Sequence, residues 1–317
     1  MDVYQAFIDE IKKKFSKNST MVNTLADFLR IERGAVYRRL RQDVPFTFNE
    51  IVTISKNFNI SLDNLVGFKD NKIVMFQLQL QNFITPQESD FYLFNGYIKF
   101  LQSFNKSAHS EMASISNVLP QDLFNGLEYL LKFYLFGWNY HHGDDKSKLF
   151  HQISISPEIN RFFNEYTMEM KNIKKTCYIF DNRLFRFFVD RVKYFNSIRL
   201  MEKDDVSKIK EDLHSMLDYI ERMAITGQFK ETGNAVNIYI SDIDINACYT
   251  YFESDDIHLS LIRAFILSSI TTFDEETFKR TKGAINTLVK ISTLITLTNE
   301  KQRVIFFENQ HNIINEL

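Results

Sequence analysis

The chain has 317 residues, 44% hydrophobic and 25% charged, with 31 Phe and 14 Tyr against nine Gly and four Pro. That balance excludes a disordered chain, favours a well-packed helix-rich one, and gives enough length for two domains. A formal net charge of −2 excludes a positive field over the whole molecule and indiscriminate coating of nucleic acid, though not a local basic face.

In chain order, Val3, Phe7, Ile11 and Phe15 recur at i, i+4 spacing, with Tyr4 and Ile8 widening the stripe. This predicts an amphipathic helix over residues 2–16, ending in Lys12, Lys13 and Lys14. Ser16 to Thr20 breaks it, and three or four short helices follow to about Val66. One of them starts with Thr47 and Glu50 at capping-box spacing, where each side chain serves a free backbone N–H, with Phe46 and Ile51 at the staple positions. Pro45 ends the segment before it. Ser61 caps a short final helix through Asp63, Leu65 and Val66. Gly67, Asp70 and Asn71 mark a boundary, which predicts an N-terminal domain over 1–68 and a larger one over 72–317.

Val74–Leu80 alternates as a strand would. Helices are expected around 88–104, 120–140, 158–172, 181–199 and 204–224. Val236, Ile238 and Ile240 then alternate with Asn237, Tyr239 and Ser241 as in a half-buried strand. Ala247–Phe252 and Ile257–Phe265 supply two more strands, and helices over 275–296 and 300–316 close the chain. The expected fold is mainly α: an all-α N-terminal domain and a larger, mostly helical α+β domain with a small antiparallel sheet.

Few residues suggest catalysis or metal binding. Cys177 and Cys248 stand 71 positions apart with no Cys/His cluster around either, so both are expected to be reduced and buried. His141-His142-Gly143-Asp144-Asp145 reads as a solvated helix-ending loop, because adjacent His residues rarely converge on one ion. His109 and Glu111 lack the cysteines that complete a zinc deaminase motif. Asp204-Asp205 and Asp255-Asp256 fall where caps or turns are expected, and no P-loop, GxGxxG, GxSxG or HExxH occurs. The chain is therefore expected to be no enzyme and to hold no metal or cofactor. The aromatic runs Phe133–Tyr140 and Phe180–Phe195 suit a core better than a ligand pocket. In the closing helix Val304, Phe307, His311 and Ile314 suit packing within their own domain better than a short dimer seam. Met1-Asp2-Val3-Tyr4 has no basic stretch before an apolar core, so no signal peptide is expected, and no apolar run spans a bilayer. Both point to a cytoplasmic protein that avoids membranes.

The segment Leu25 to Leu40 carries the functional pattern. Ala26 is the small residue where two helices cross, Leu25, Leu29 and Ile31 pack the first helix and the turn, and Val36, ten residues after Ala26, anchors the second helix with Leu40 one turn on. Five Arg (30, 33, 38, 39 and 41) lie between Arg30 and Arg41 against one acid, Glu32. Residues 1–68 carry ten Lys and Arg against eight Asp and Glu, so the basic face is local.

This spacing resembles the lambda-repressor and Cro-like helix-turn-helix family. The Tyr37-Arg38-Arg39-Leu40 run is similar to its BetR-type branch, and Phe48–Phe58 with Ile60-Ser61-Leu62-Asp63-Asn64-Leu65 matches the family's continuation. The resemblance covers about 50 residues. It implies base contacts by Arg33, Gly34, Tyr37 and Arg38, with phosphate contacts by Arg39, Arg41 and Gln42 at the far end and by Thr20 and Asn23 on the preceding helix. The pattern departs at two positions. Arg30 stands where the family's turn usually has Gly, so it must adopt a left-handed backbone or sit in a slightly different turn. Arg39 replaces an apolar residue, so its stem is expected to cover the core while the guanidinium reaches out.

The expected function is sequence-specific duplex-DNA binding in transcriptional regulation. A homodimer is expected, with residues beyond Asp70 serving dimerisation or the sensing of an effector or partner protein. The alternative is an adaptor whose N-terminal module docks a protein instead of DNA.

Overall fold

A computed structural model describes residues 3–15, 18–58, 60, 62, 65, 74, 76–78, 81–124, 126–143, 146–264 and 268–317. The chain forms two compact units, Met1–Met75 and Phe76–Leu317.

The first unit contains α1 (Val3–Lys13), α2 (Asn18–Leu29), α3 (Arg33–Leu40) and α4 (Phe48–Phe58). Its core gathers Phe7, Ile8 and Ile11 from α1, Met21, Val22, Leu25 and Ala26 from α2, Val36 from α3 and Ile54 from α4, with Phe46 and Ile60. The stripe that predicts each helix is the face it buries. At the start of α4 the Thr47 N–H donates to Glu50 Oε2 (2.8 Å) and the Glu50 N–H donates to Thr47 Oγ1 (3.3 Å), which closes the capping box. The Phe46 N–H donates to the Tyr4 hydroxyl (2.6 Å) and so ties α1 to the segment before α4. The Ser61 cap and the boundary residues Gly67, Asp70 and Asn71 lie outside the described residues.

The second unit is built on an eight-stranded mixed sheet, in the order β1-β7-β6-β5-β2-β3-β4-β8. Its strands are β1 (Gln77–Leu78), β2 (Glu111–Ser116), β3 (Lys175–Asp181), β4 (Ala235–Ser241), β5 (Tyr249–Glu253), β6 (His258–Arg263), β7 (Ser269–Thr272) and β8 (Thr293–Leu294). β2, β3 and β4 run parallel, with Ala113 opposite Cys177 and Cys177 opposite Asn237, and the remaining pairs are antiparallel. The helices are α5 (Glu88–Phe104), α6 (Glu128–His142), α7 (Pro157–Lys171), α8 (Arg186–Ser197), α9 (Lys203–Thr226), α10 (Glu275–Ile291) and α11 (Glu300–Asn315).

This sheet corrects the expected small antiparallel one. β2 and β3 have no counterpart among the expected strands because they are covered on both faces, which removes the alternation that marks a half-buried strand. Met112, Tyr178, Phe180 and Phe252 enter the large core beneath the helices. Ala113, Ile115, Ile179 and Tyr251 pack on the other face against Phe278 and Ile285 of α10. The helix expected over 181–199 begins only at Arg186 because the chain is still in β3 up to Asp181. Likewise α10 ends at Ile291, and β8 takes the residues after it.

The aromatic runs are core. Phe133 packs on Phe188 (centroids 4.6 Å) and Phe136 on Phe195 (4.8 Å). Phe307 and Ile314 of α11 are buried in the same cluster, whereas Val304 is exposed. Cys177 is half-buried between β3 and α10, and burial pushes its thiol up to about 12. Cys248, also free and half-buried, donates to Asn117 Oδ1 (3.1 Å). Among the described residues no helix is long and apolar enough to cross a membrane.

Candidate nucleic-acid interface

α2 ends, and the chain turns, through Arg30. Its φ of +54° is left-handed, and the Ile31 N–H reaches back to the Ala26 carbonyl (3.1 Å), the six-to-one bond of a helix stop usually made with glycine. The Cβ of Arg30 makes this backbone costly by about 1 kcal/mol relative to glycine. Glu32 is extended, and α3 begins at Arg33.

Val36 fixes the roll of α3. It is fully buried with Ala26 and Leu25 beneath it, and Leu40 is half-buried one turn further. The positions that then turn outward are Arg33, Gly34, Tyr37, Arg38 and Arg41, all exposed. Thr20 and Asn23 of α2 are exposed as well. Gly34 leaves open space where a Cβ would stand. Arg30, Arg33, Arg38 and Arg41 have no ion-pair partner among the described residues, so four guanidinium groups face solvent over a short stretch.

Arg39 does otherwise. Its Nε donates to Glu50 Oε2 (2.9 Å), Nη2 lies 2.9 Å from Glu50 Oε1, and Nη1 approaches the Ala35 carbonyl (3.4 Å). The guanidinium therefore folds back onto α4 instead of reaching outward, because Glu50, held in its capping box, offers a fixed carboxylate in a sheltered place. Burial disfavours the Glu50 carboxylate, but the hydrogen bonds from Arg39 and Thr47 outweigh it and hold the group below the ordinary carboxylate range. Gln42 follows α3 with φ +66°, and its side-chain amide donates to Gln5 of α1, so it is tied to its own unit.

The surface around α3 is not purely basic. Phe48 is 75% exposed, and Tyr37 and Val44 are also uncovered. Among the described residues of the second unit are cavities of about 90 and 170 Å³. The first lies under the sheet, among Ser116, Asp122, Tyr166, Cys248 and Arg263. Both are below the ~300–1,000 Å³ usual for small-molecule pockets.

Comparisons with family models, with curated proteins and with solved structures return no match for this chain.

Proposed function

We propose that this protein is a sequence-specific duplex-DNA-binding transcriptional regulator of the lambda-repressor-like kind, acting as a homodimer with α3 as its recognition helix. One observation supports this best: Val36 and Leu40 turn inward while Arg33, Tyr37, Arg38 and Arg41 turn outward, with no ion-pair partner for the three Arg among the described residues. A guanidinium free of internal carboxylates is available for bidentate pairing with guanine or for a phosphate. In this reading Arg33, Gly34, Tyr37 and Arg38 meet base edges. Arg41, Thr20 and Asn23 meet phosphates, and Gln42 and Arg39 hold the frame. One module covers only half a site, so two copies would bind half-sites about one DNA turn apart. The second unit would carry dimerisation or the sensing of an effector.

Selection of bound fragments from a random duplex pool tests this directly. Enrichment of a motif with two related half-sites is the expected outcome. A pool that stays random after several rounds contradicts it.

The exposed Phe48 favours a second reading, in which the N-terminal unit docks a protein partner in the manner of an adaptor. Steep weakening of duplex binding with added salt would oppose that reading, because it reports counterion release from phosphates.

A further inference from the structure

We propose a divalent transition-metal site between α9 and α11, with His311 Nε2, Asp218 and Glu221 as ligands and with His214 and Asn315 orienting the imidazole. One ligand atom from each of Asp218, Glu221 and His311 lies within 4.8 Å of the others, and His311 Nε2 is 3.9 Å from Asp218 Oδ1. His214, Asp218 and Glu221 occupy positions i, i+4 and i+7 of α9, so they share one face of that helix.

The hydrogen-bond chain behind His311 decides what it presents to the two carboxylates. Asn315 Oδ1 only accepts, so at 3.3 Å it accepts a hydrogen bond from the His214 Nε2–H. The neutral His214 ring then offers a lone pair at Nδ1, 3.0 Å from His311 Nδ1, and His311 must be the donor there. In its neutral form His311 is left with a bare lone pair at Nε2, 3.9 Å from Asp218 Oδ1 in the cluster that Glu221 completes. Three acceptors converge with no donor among them. A positive species resolves this, and one nitrogen with two carboxylates is a set that suits Zn²⁺, Fe²⁺, Mn²⁺ or Co²⁺ better than Mg²⁺ or Ca²⁺. A ligating His whose other ring nitrogen donates to a fixed partner is also the usual arrangement around such ions.

The ligand atoms must draw in, since bonds of about 2.0–2.2 Å bring neighbouring ligands closer than 3.9 Å. The Asp218 side chain, 59% accessible, is free to swing toward the His311 that His214 holds, and water can complete the shell. Such a site would clamp the closing helix α11 to α9. The competing possibility is a doubly protonated His311 paired with the two carboxylates and no metal.

The experiment uses the full-length, tag-free chain and Co²⁺ alone as the probe. Equilibrium dialysis is expected to give one bound ion per chain, with a visible d–d absorption band that Zn²⁺ displaces. His311→Gln and the near-isosteric pair Asp218→Asn with Glu221→Gln should each weaken binding tenfold or more while circular dichroism stays unchanged. His214→Ala should shift the Co²⁺ spectrum and weaken binding about 10–100-fold, as loss of an orienting partner does. The double variant His141→Ala with His142→Ala should bind as the wild type does. Absence of stoichiometric Co²⁺ uptake overturns the proposal, as does His311→Gln binding Co²⁺ unchanged. An unaltered spectrum in His214→Ala overturns the orienting role.

Discussion

Arg39 and Glu50 form a two-point ion pair, with Nε and Nη2 each 2.9 Å from a different carboxylate oxygen, on side chains only 15% and 14% exposed. The pair joins α3 to α4, and the same carboxylate caps α4 through Thr47. The angle at which α3 is presented therefore depends on a residue whose position reads, in the sequence, as part of the binding surface. Glu50→Gln should cost the first unit about 2 kcal/mol, the scale of a sheltered charge-assisted hydrogen bond plus a weakened cap. Native-state hydrogen exchange at the Leu25 and Val36 amides measures this, since a single melting curve for two units is ambiguous.

The pair also sets a pH dependence. Because the Glu50 carboxyl is held below its ordinary value in the folded state, its stabilisation is complete above the unfolded value, about 4.3. It is lost as pH falls from there through the depressed folded value. Glu50→Gln should flatten that part of the exchange profile. An unchanged acid profile would mean that Arg39 and Glu50 are not paired in solution.

Arg30 carries the strain of the turn. Arg30→Gly should stabilise the first unit by up to about 1 kcal/mol, because glycine accepts the left-handed backbone without a Cβ penalty. Slower exchange of the Ile31 amide, which closes the helix stop, is the readout.

In the second unit, burial pushes the Asp122 carboxyl above its ordinary value, and the hydrogen bond from the Tyr178 hydroxyl only partly offsets this. A raised folded value in an acid means that the folded state binds more protons, so stability falls as pH rises through the interval above the unfolded value. Asp122→Asn keeps an oxygen for Tyr178 to donate to and removes the buried charge. It should abolish that fall and leave stability near pH 7 equal or higher by about 1 kcal/mol. Urea unfolding followed by the fluorescence of Trp138, the chain's one tryptophan, reports on this unit alone.

The first unit was largely legible in the sequence, since each of its helices has one face in water and writes a 3.6-residue stripe. Even the left-handed Arg30 was foreseeable from its place in the turn. The guanidinium of Arg39 was not, because its direction depends on Glu50, eleven residues away and read only as a cap. The sheet was half legible. β4, with Tyr239 and Asn237 alternating against buried Val236 and Ile238, shows its period, whereas β3 is buried on both faces and shows none. The cluster of His214, Asp218, Glu221, His311 and Asn315 has no sequence signature, because its two helices meet across about a hundred residues of chain.

Arg38→Ala and Arg41→Ala should separate two kinds of contact. Loss of Arg38 is expected to relax preference at one base position by about 1–3 kcal/mol. Loss of Arg41 should weaken all duplexes evenly and reduce the salt slope by about 1. Competition binding against singly substituted sites distinguishes these patterns, and identical behaviour of the two variants would contradict this division of roles.

The outward face of α3 is tested most directly by fluorescence anisotropy of the full chain on the selected duplex across a salt series. It should be repeated with Arg33, Arg38 and Arg41 all changed to Ala. The wild type should bind with an affinity that falls steeply on a log–log salt plot, and the triple variant should bind at least a hundredfold more weakly with a shallower slope. Equal affinity and equal slope for the two proteins would contradict the assignment of α3 as the surface that reads DNA.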